Sequence, residues 1–268
     1  MAIAPWSSTI VTFPERPVPR TTLARICLEL GLHIDVGSTA YPAAAVFYWL
    51  DQTFRPTLPN VIGIYNGACT NIAKSLVAAR FEQVFGYALA VDPFVHVGLC
   101  VRKSELNGRH DGEIVRCPQP RQPDQTYQLV IDNRCSAAEV EDLRVPVLLD
   151  IIPFVYCKRR PLPTRFSNAN SRVLVTETSS VLNANETDAI VRFCRLIGMD
   201  FGELDVLRDR ASGRIFIVDA NATPFGPPAQ LATAESAECI RRLAREFDAA
   251  FVRRRSAAPR VVPGDTCT

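Results

Sequence analysis

The sequence predicts an α+β fold in which a reduced N-terminal α/β region precedes two subdomains. Three observations predict it. The opening mixes helix-spaced apolar residues with a buried strand-like run, and the middle changes to the two-residue period of strands around an Asn-Gly turn. The last third sets a helix before a strand pair that ends in Asn221-Ala222-Thr223-Pro224. The chain has 268 residues, 47% hydrophobic and 22% charged, which excludes disorder or a coiled coil as a description of the whole. A net charge of +2 argues against nucleic-acid or anionic-membrane partners, although Arg253, Arg254, Arg255 and Arg260 make the tail basic.

No apolar run is long enough to span a bilayer, and the first residues lack the basic and apolar regions of an export signal, so a cytoplasmic location is expected. The nine cysteines are scattered with no CxxC pair, which suggests neither a disulfide framework nor a zinc site. They are expected to be small buried hydrophobes.

Pro5, Pro14, Pro17 and Pro19 predict an extended arm over residues 1–20. Residues 21–69 form the reduced α/β region. Leu23, Ile26, Cys27 and Leu30 recur at helical spacing between the caps Thr21 or Thr22 and the stop Gly31. A second helix is expected from Ala43 to about Phe54, and Val61–Tyr65 reads as a buried strand. Asn71 caps a helix carrying Ile72, Leu76, Val77, Phe81 and Val84, ended by Gly86.

The main domain is placed at residues 70–228. Strand-like runs Val95–Lys103 and Glu113–Cys117 flank Asn107–Gly112, giving a hairpin with a flexible two-glycine tip. A strand Tyr127–Ile131, a short helix near Ala137–Leu143 and the apolar run Val145–Tyr156 follow, with a crossing between subdomains. Asn185 is expected to cap the next helix, which Gly198 ends. Residues 229–268 form a C-terminal helix and tail.

The strands Phe201–Leu207 and Arg214–Asn221 carry the chemistry. Antiparallel pairing centred on Ser212 sets Leu207 opposite Ile217, Asp205 opposite Asp219 and Glu203 opposite Asn221, all on one face. Opposed Cβ atoms lie about 5 Å apart, so the two carboxylates repel unless a cation or proton intervenes. A hard divalent cation such as Mg²⁺ suits Asp205, Asp219 and Asn221; the alternative is an ordinary hairpin with solvated acids.

The segments Gly202-Glu203-Leu204-Asp205-Val206-Leu207 and Ile215-Phe216-Ile217-Val218-Asp219-Ala220-Asn221 resemble the closing strand pair of the ATP-grasp superfamily. In that pattern an acid and an acid-x-Asn hold the magnesium of Mg-ATP; here Asp219 stands where glutamate is more usual. The resemblance implies an ATP-grasp-like fold whose two subdomains clamp nucleotide, with ATP and Mg²⁺ as cofactors. It also extends upstream. Lys103 resembles the family lysine leading into a glycine loop, with Gly108 and Gly112 giving backbone N–H groups to phosphate oxygens, or else it is a solvated hairpin lysine. Lys74 resembles a lysine near the entry to the first subdomain, or is a helix-surface residue. Asp150, in Leu148–Pro153, resembles the acid that binds ribose hydroxyls, or sits incidentally in a strand. Lys158, Arg159, Arg160 and Arg165 face a γ-phosphate or anionic acceptor, or form a solvated basic loop.

The implied activity is ATP-dependent carboxylate-amine ligation. The γ-phosphate activates a small-molecule carboxylate as an acylphosphate, a nucleophile captures it, and ADP and phosphate leave. Lys103 and Arg160 are the candidate catalytic cations. Two alternatives stay open: a small-molecule kinase on the same scaffold, and a nucleotide-binding protein without turnover.

Overall fold

The computed structural model describes residues 8–37 and 43–253. The basic residues Arg254, Arg255 and Arg260, and the first seven residues of the expected arm, lie outside this set. Among the described residues no helix is long and apolar enough to cross a membrane.

β1 (Thr9–Pro14), α1 (Thr22–Glu29), β2 (His33–Val36) and β3 (Ala45–Trp49) build a parallel three-stranded sheet in the order β2-β1-β3. Two sequence expectations change here. Thr9–Pro14 is the central strand rather than part of an arm, because the β-branched run Thr9-Ile10-Val11-Thr12 outweighs the prolines around it. Ala45–Trp49 is a strand rather than a helix. All five of its residues are buried, so no amphipathic period is left to separate the two structures. Val61–Tyr65 contributes only a single bridge, Phe47 to Tyr65. α1 begins as expected, with Thr21 Oγ1 accepting the Ala24 N–H, and Gly31 takes the left-handed conformation past its end.

α2 (Lys74–Phe85) leads into an antiparallel sheet of β4 (Gly98–Ser104), β5 (Glu113–Cys117) and β6 (Gln125–Leu129), ordered β5-β4-β6. β7 (Glu139–Leu148), β8 (Val155–Pro161), β9 (Arg172–Thr176), β10 (Phe201–Arg208) and β11 (Ile215–Asn221) form the main sheet, ordered β11-β10-β7-β8-β9. The predicted helix near Ala137–Leu143 is the start of β7, where pairing with β8 overrides local propensity; β10 pairs with the rest of the strand from Leu143 on. α3 (Thr178–Val181) and α4 (Ala184–Leu196) connect β9 to β10. α4 is capped by Asn183, not Asn185: the Asn183 side chain accepts the Glu186 N–H at 3.0 Å while Glu186 reaches back to the Asn183 N–H. α5 (Thr233–Phe247) forms as expected and runs on into a π-helical segment, Asp248–Arg253.

α2 and α4 cover one face of the main sheet through Val77, Phe81, Ile190 and Phe193. The N-terminal sheet, α1 and α5 cover one end of the other face. There Phe47 stacks on Phe247 at 5.7 Å and meets Phe201 edge-on at 5.8 Å. Each such buried side chain contributes about 1.5–3 kcal/mol. The remainder of that face lies under the β4–β6 sheet, where the polar side chains of the main sheet gather.

Candidate functional site

The floor of the site follows from the two-residue period of strands. Asp142 and Arg144 on β7, Lys158 and Arg160 on β8, and Glu203 and Asp205 on β10 alternate with core residues and share one face. The register sets Asp142 beside Lys158, and Asp205 between Arg144 and Asp219. The roof is the β4–β5 hairpin. Between them opens a cleft of about 150 Å³ lined by Lys74, Lys103, Gly108, Gly112, Lys158, Arg160, Asp205 and Asp219.

The two facing carboxylates are in different electrostatic states. Lys158 Nζ lies 2.9 Å and Arg144 Nε 3.2 Å from Asp205 Oδ1. Burial alone raises a carboxyl pKa, but these two cations outweigh it and hold Asp205 well below the usual range. Asp219 forms no ion pair among the described residues; burial raises its pKa against the more distant pull of Lys74 and Lys103. Next to Asp205, buried Glu203 is pushed up to about 7 by desolvation, and its Oε1 has no hydrogen-bond partner. Arg160, itself buried, pairs with Asp142 and donates to the Ser167 carbonyl at 2.6 Å.

A β-bulge between Asp205 and Val206 pairs Asp205 with Asp219 but Val206 with Ile217, so Leu207 faces Phe216 rather than the expected Ile217. The extra residue is Val218, whose carbonyl accepts Lys103 Nζ at 2.9 Å. Burial lowers the Lys103 pKa to about 8. Lys74 Nζ donates to the Leu106 carbonyl at 2.7 Å, and Asn107 Nδ2 to the Ala220 carbonyl at 2.9 Å. On the other side the tip rests on the β8–β9 connection, where His110 Nε2 lies 2.6 Å from Asn168 Nδ2. A Cβ on Gly112 would come within 2.7 Å of the Phe166 ring, so this contact needs glycine.

No family model matches the sequence, and no curated protein matches it. Solved structures do. The ATP-grasp ligase PsnB, in complex with precursor peptide PsnA2 and AMPPNP, matches at a TM-score of 0.56 and 13% identity, over 94% of this chain and 100% of that one. The D-alanine–D-alanine ligase of Bacillus anthracis, in complex with ATP, matches at 0.55 and 11%, over 92% and 97%. The chain has the ATP-grasp fold. PsnB has also been solved with a phosphomimetic precursor variant, Mg and ADP, at a TM-score of 0.56 and 13% identity over 90% and 99%.

Within this ATP-grasp fold, nine of the twelve residues singled out from sequence line one cleft, and Asp150, Arg159 and Asn221 do not; Arg159 pairs instead with Glu141 at 2.7 Å. Leu148–Ile151 is a tight turn joining β7 to β8, closed by reciprocal Leu148–Ile151 hydrogen bonds, which leaves Asp150 exposed beside Arg195 and Asp200. The connection between the two sheets runs instead from β6 to β7; Gln128 and Leu129 at the end of β6 and Ile131 and Asn133 in the connection line the cleft. The Asn221 side chain is turned away, its Oδ1 accepting the Thr223 N–H at 2.9 Å.

Sequence reasoning missed Asp142, Arg144 and Gln128. The signal for the first two was present, since Asp142-Leu143-Arg144 alternates polar and apolar residues, but a helical reading of that stretch concealed it. Among the described residues no group of three or more His, Cys, Asp or Glu is placed to hold a metal, so Asp205 and Asp219 form a two-carboxylate set.

Proposed function

We propose that this chain is an ATP- and Mg²⁺-dependent ligase that activates a substrate carboxylate as an acylphosphate for capture by an amine or other nucleophile. The observation that carries this reading is the convergence of Lys74, Lys103, Lys158 and Arg160 on one cleft with Asp205 and Asp219, beneath a two-glycine hairpin tip. Four cations facing two carboxylates suit a polyanion that arrives with its own metal. The shared fold with ligases solved with ATP, or with Mg and ADP, supports the same reading.

The nucleotide lies between the two sheets, within residues 70–228. Val101, Leu129, Ile131 and Leu207 offer apolar walls for a purine, and Gln128 Nε2, buried without a partner, offers it a hydrogen bond. Lys103 and the tip amides of Gly108–Gly112 meet the phosphates from above, while Lys158 and Arg160 meet the transferred phosphoryl group from the main sheet.

Asp205 and Asp219 fit a hard cation whose other ligands are phosphate oxygens and water, since both are oxygen donors on facing strands and Asp219 forms no ion pair among the described residues. Bound there, Mg²⁺ would neutralise charge on the phosphoryl oxygens. The substrate carboxylate attacks the γ-phosphorus and ADP leaves. The nucleophile then attacks the acyl carbon and inorganic phosphate leaves. Arg160 holds the transferred group through both steps, its side chain fixed by Asp142 and the Ser167 carbonyl.

The test is the product set from ATP with pooled acids and amines, with hydroxylamine as a trap. ADP, phosphate and a hydroxamate are expected. Phosphate retained on a hydroxyl would instead identify a kinase, and ATP binding without turnover would identify a non-catalytic binder.

A further inference from the structure

The roof sheet contains a pair of thiols that the nucleotide reading does not use. Cys100 on β4 and Cys117 on β5 occupy diagonal positions of the antiparallel pair, since Cys100 is opposite Val115 and Cys117 is opposite Gly98. Their sulfurs approach to 3.0 Å, both are buried, and Gln119 Nε2 lies 3.9 Å from Cys117 Sγ. No other two cysteines among the described residues share such a contact.

We propose that Cys100 and Cys117 are a site of reversible disulfide formation by peroxide, and that the bond restrains the hairpin over the cleft. The bond needs only a small approach of two sulfurs already in contact across the diagonal of neighbouring strands. The two cysteines bracket Lys103 and the whole tip Asn107–Gly112, so the new covalent loop contains every roof residue assigned to phosphate. It also fastens edge strand β5 to central strand β4.

Access comes from local opening. The roof core is small, comprising Cys100, Cys117 and Tyr127 with Val91 and Val115 packed against it, and β5 is an edge strand. Cys117, at the edge, reacts first. Its thiolate attacks one peroxide oxygen, the O–O bond breaks, and the departing hydroxide takes a proton to become water, leaving a sulfenic acid. The Cys100 sulfur then attacks the Cys117 sulfur and loses its proton, and the second oxygen leaves as water. Two thiols are oxidised by two electrons and one peroxide is reduced to two waters. Burial and the Cys117 contact push the Cys100 thiol up to about 12, consistent with its role as the second, resolving sulfur.

The test uses the full chain treated with hydrogen peroxide, alkylated, and digested with trypsin without reductant. The expected product joins the peptide Phe81–Arg102 to Cys117–Arg121, is released by a phosphine, and is absent from Cys117→Ser. Oxidised protein, with no nucleotide added, should be cut after Arg109 several-fold more slowly than reduced protein. Peroxide treatment that leaves both thiols open to alkylation, carries Cys117 to the sulfinic acid, or joins either cysteine to a third would overturn the site. Equal cleavage rates in the two forms would overturn the restraint on the hairpin. Both readouts are independent of ATP binding, so failure of the ligase reading does not affect them.

Discussion

Asp205 and Asp219 stand opposite each other on β10 and β11 just before a bulge, yet only Asp205 is paired with cations, Lys158 at 2.9 Å and Arg144 at 3.2 Å. One carboxylate therefore anchors the floor of the cleft, while the other is available to an incoming ion.

This asymmetry predicts different outcomes for two matched substitutions. Asp219→Asn should keep the fold and abolish the magnesium-dependent part of nucleotide binding. Asp205→Asn should cost about 3 kcal/mol of stability, because it leaves buried Lys158 without its counter-charge. Chemical denaturation of both variants checks the contrast; equal destabilisation would contradict it.

Mg-ATP at about 100-fold excess over Kd should stabilise the wild-type chain by roughly 2–3 kcal/mol, and ATP with EDTA by much less. Thermal melting measures both. Identical shifts with and without metal would remove Asp219 from the metal site.

The lowered pKa of Lys103 predicts opposite pH trends for folding and for binding. Its folded value of about 8 lies below the ordinary 10.5, so burial penalises the charged amine below about 8 and the penalty disappears as the pH rises toward 10.5. Stability of the free protein should therefore gain from this group across that window. Nucleotide affinity should fall over the same window, because the ammonium that meets the phosphates is lost. Titration calorimetry from pH 7 to 10 checks this, and Lys103→Met should flatten the affinity trend.

Gly112 packs against the face of Phe166, and a methyl group there would meet the ring at 2.7 Å. Gly112→Ala should disfavour the closed hairpin by about 1–3 kcal/mol and weaken nucleotide binding accordingly. Adding Phe166→Ala should restore affinity by removing the obstacle. A double variant no better than the single one would show that the contact does not hold the hairpin closed.

Nucleotide should also protect the tip from trypsin, since phosphate contacts lower the population of the open hairpin. Cleavage after Arg109 should slow relative to cleavage after exposed Arg214, and Lys103→Met should reduce the effect. Unchanged cleavage at saturating Mg-ATP would make Asn107–Gly112 an ordinary turn.

Much of the site could be read from sequence because it rests on short-range pattern. Counting from a turn centred on Ser212 found the opposition of Asp205 and Asp219, but the pairs nearer the turn are offset by one residue, and it is the bulge at Val218 that restores the counted register. The glycine tip and Lys103 lay on one strand and its turn. Where several partners compete for one segment, the sequence alone did not decide. Ala45–Trp49 and Glu139–Leu148 are strands because neighbouring strands supply their hydrogen bonds, and the first is buried along its whole length, which erases the period that would reveal it. That pairing is what brings Asp142 and Arg144 onto the floor. The bulge at Val218 gives Lys103 its carbonyl, and the β6–β7 connection, rather than the turn at Asp150, lines the cleft. These depend on contacts between residues far apart in sequence, which only the folded chain brings together.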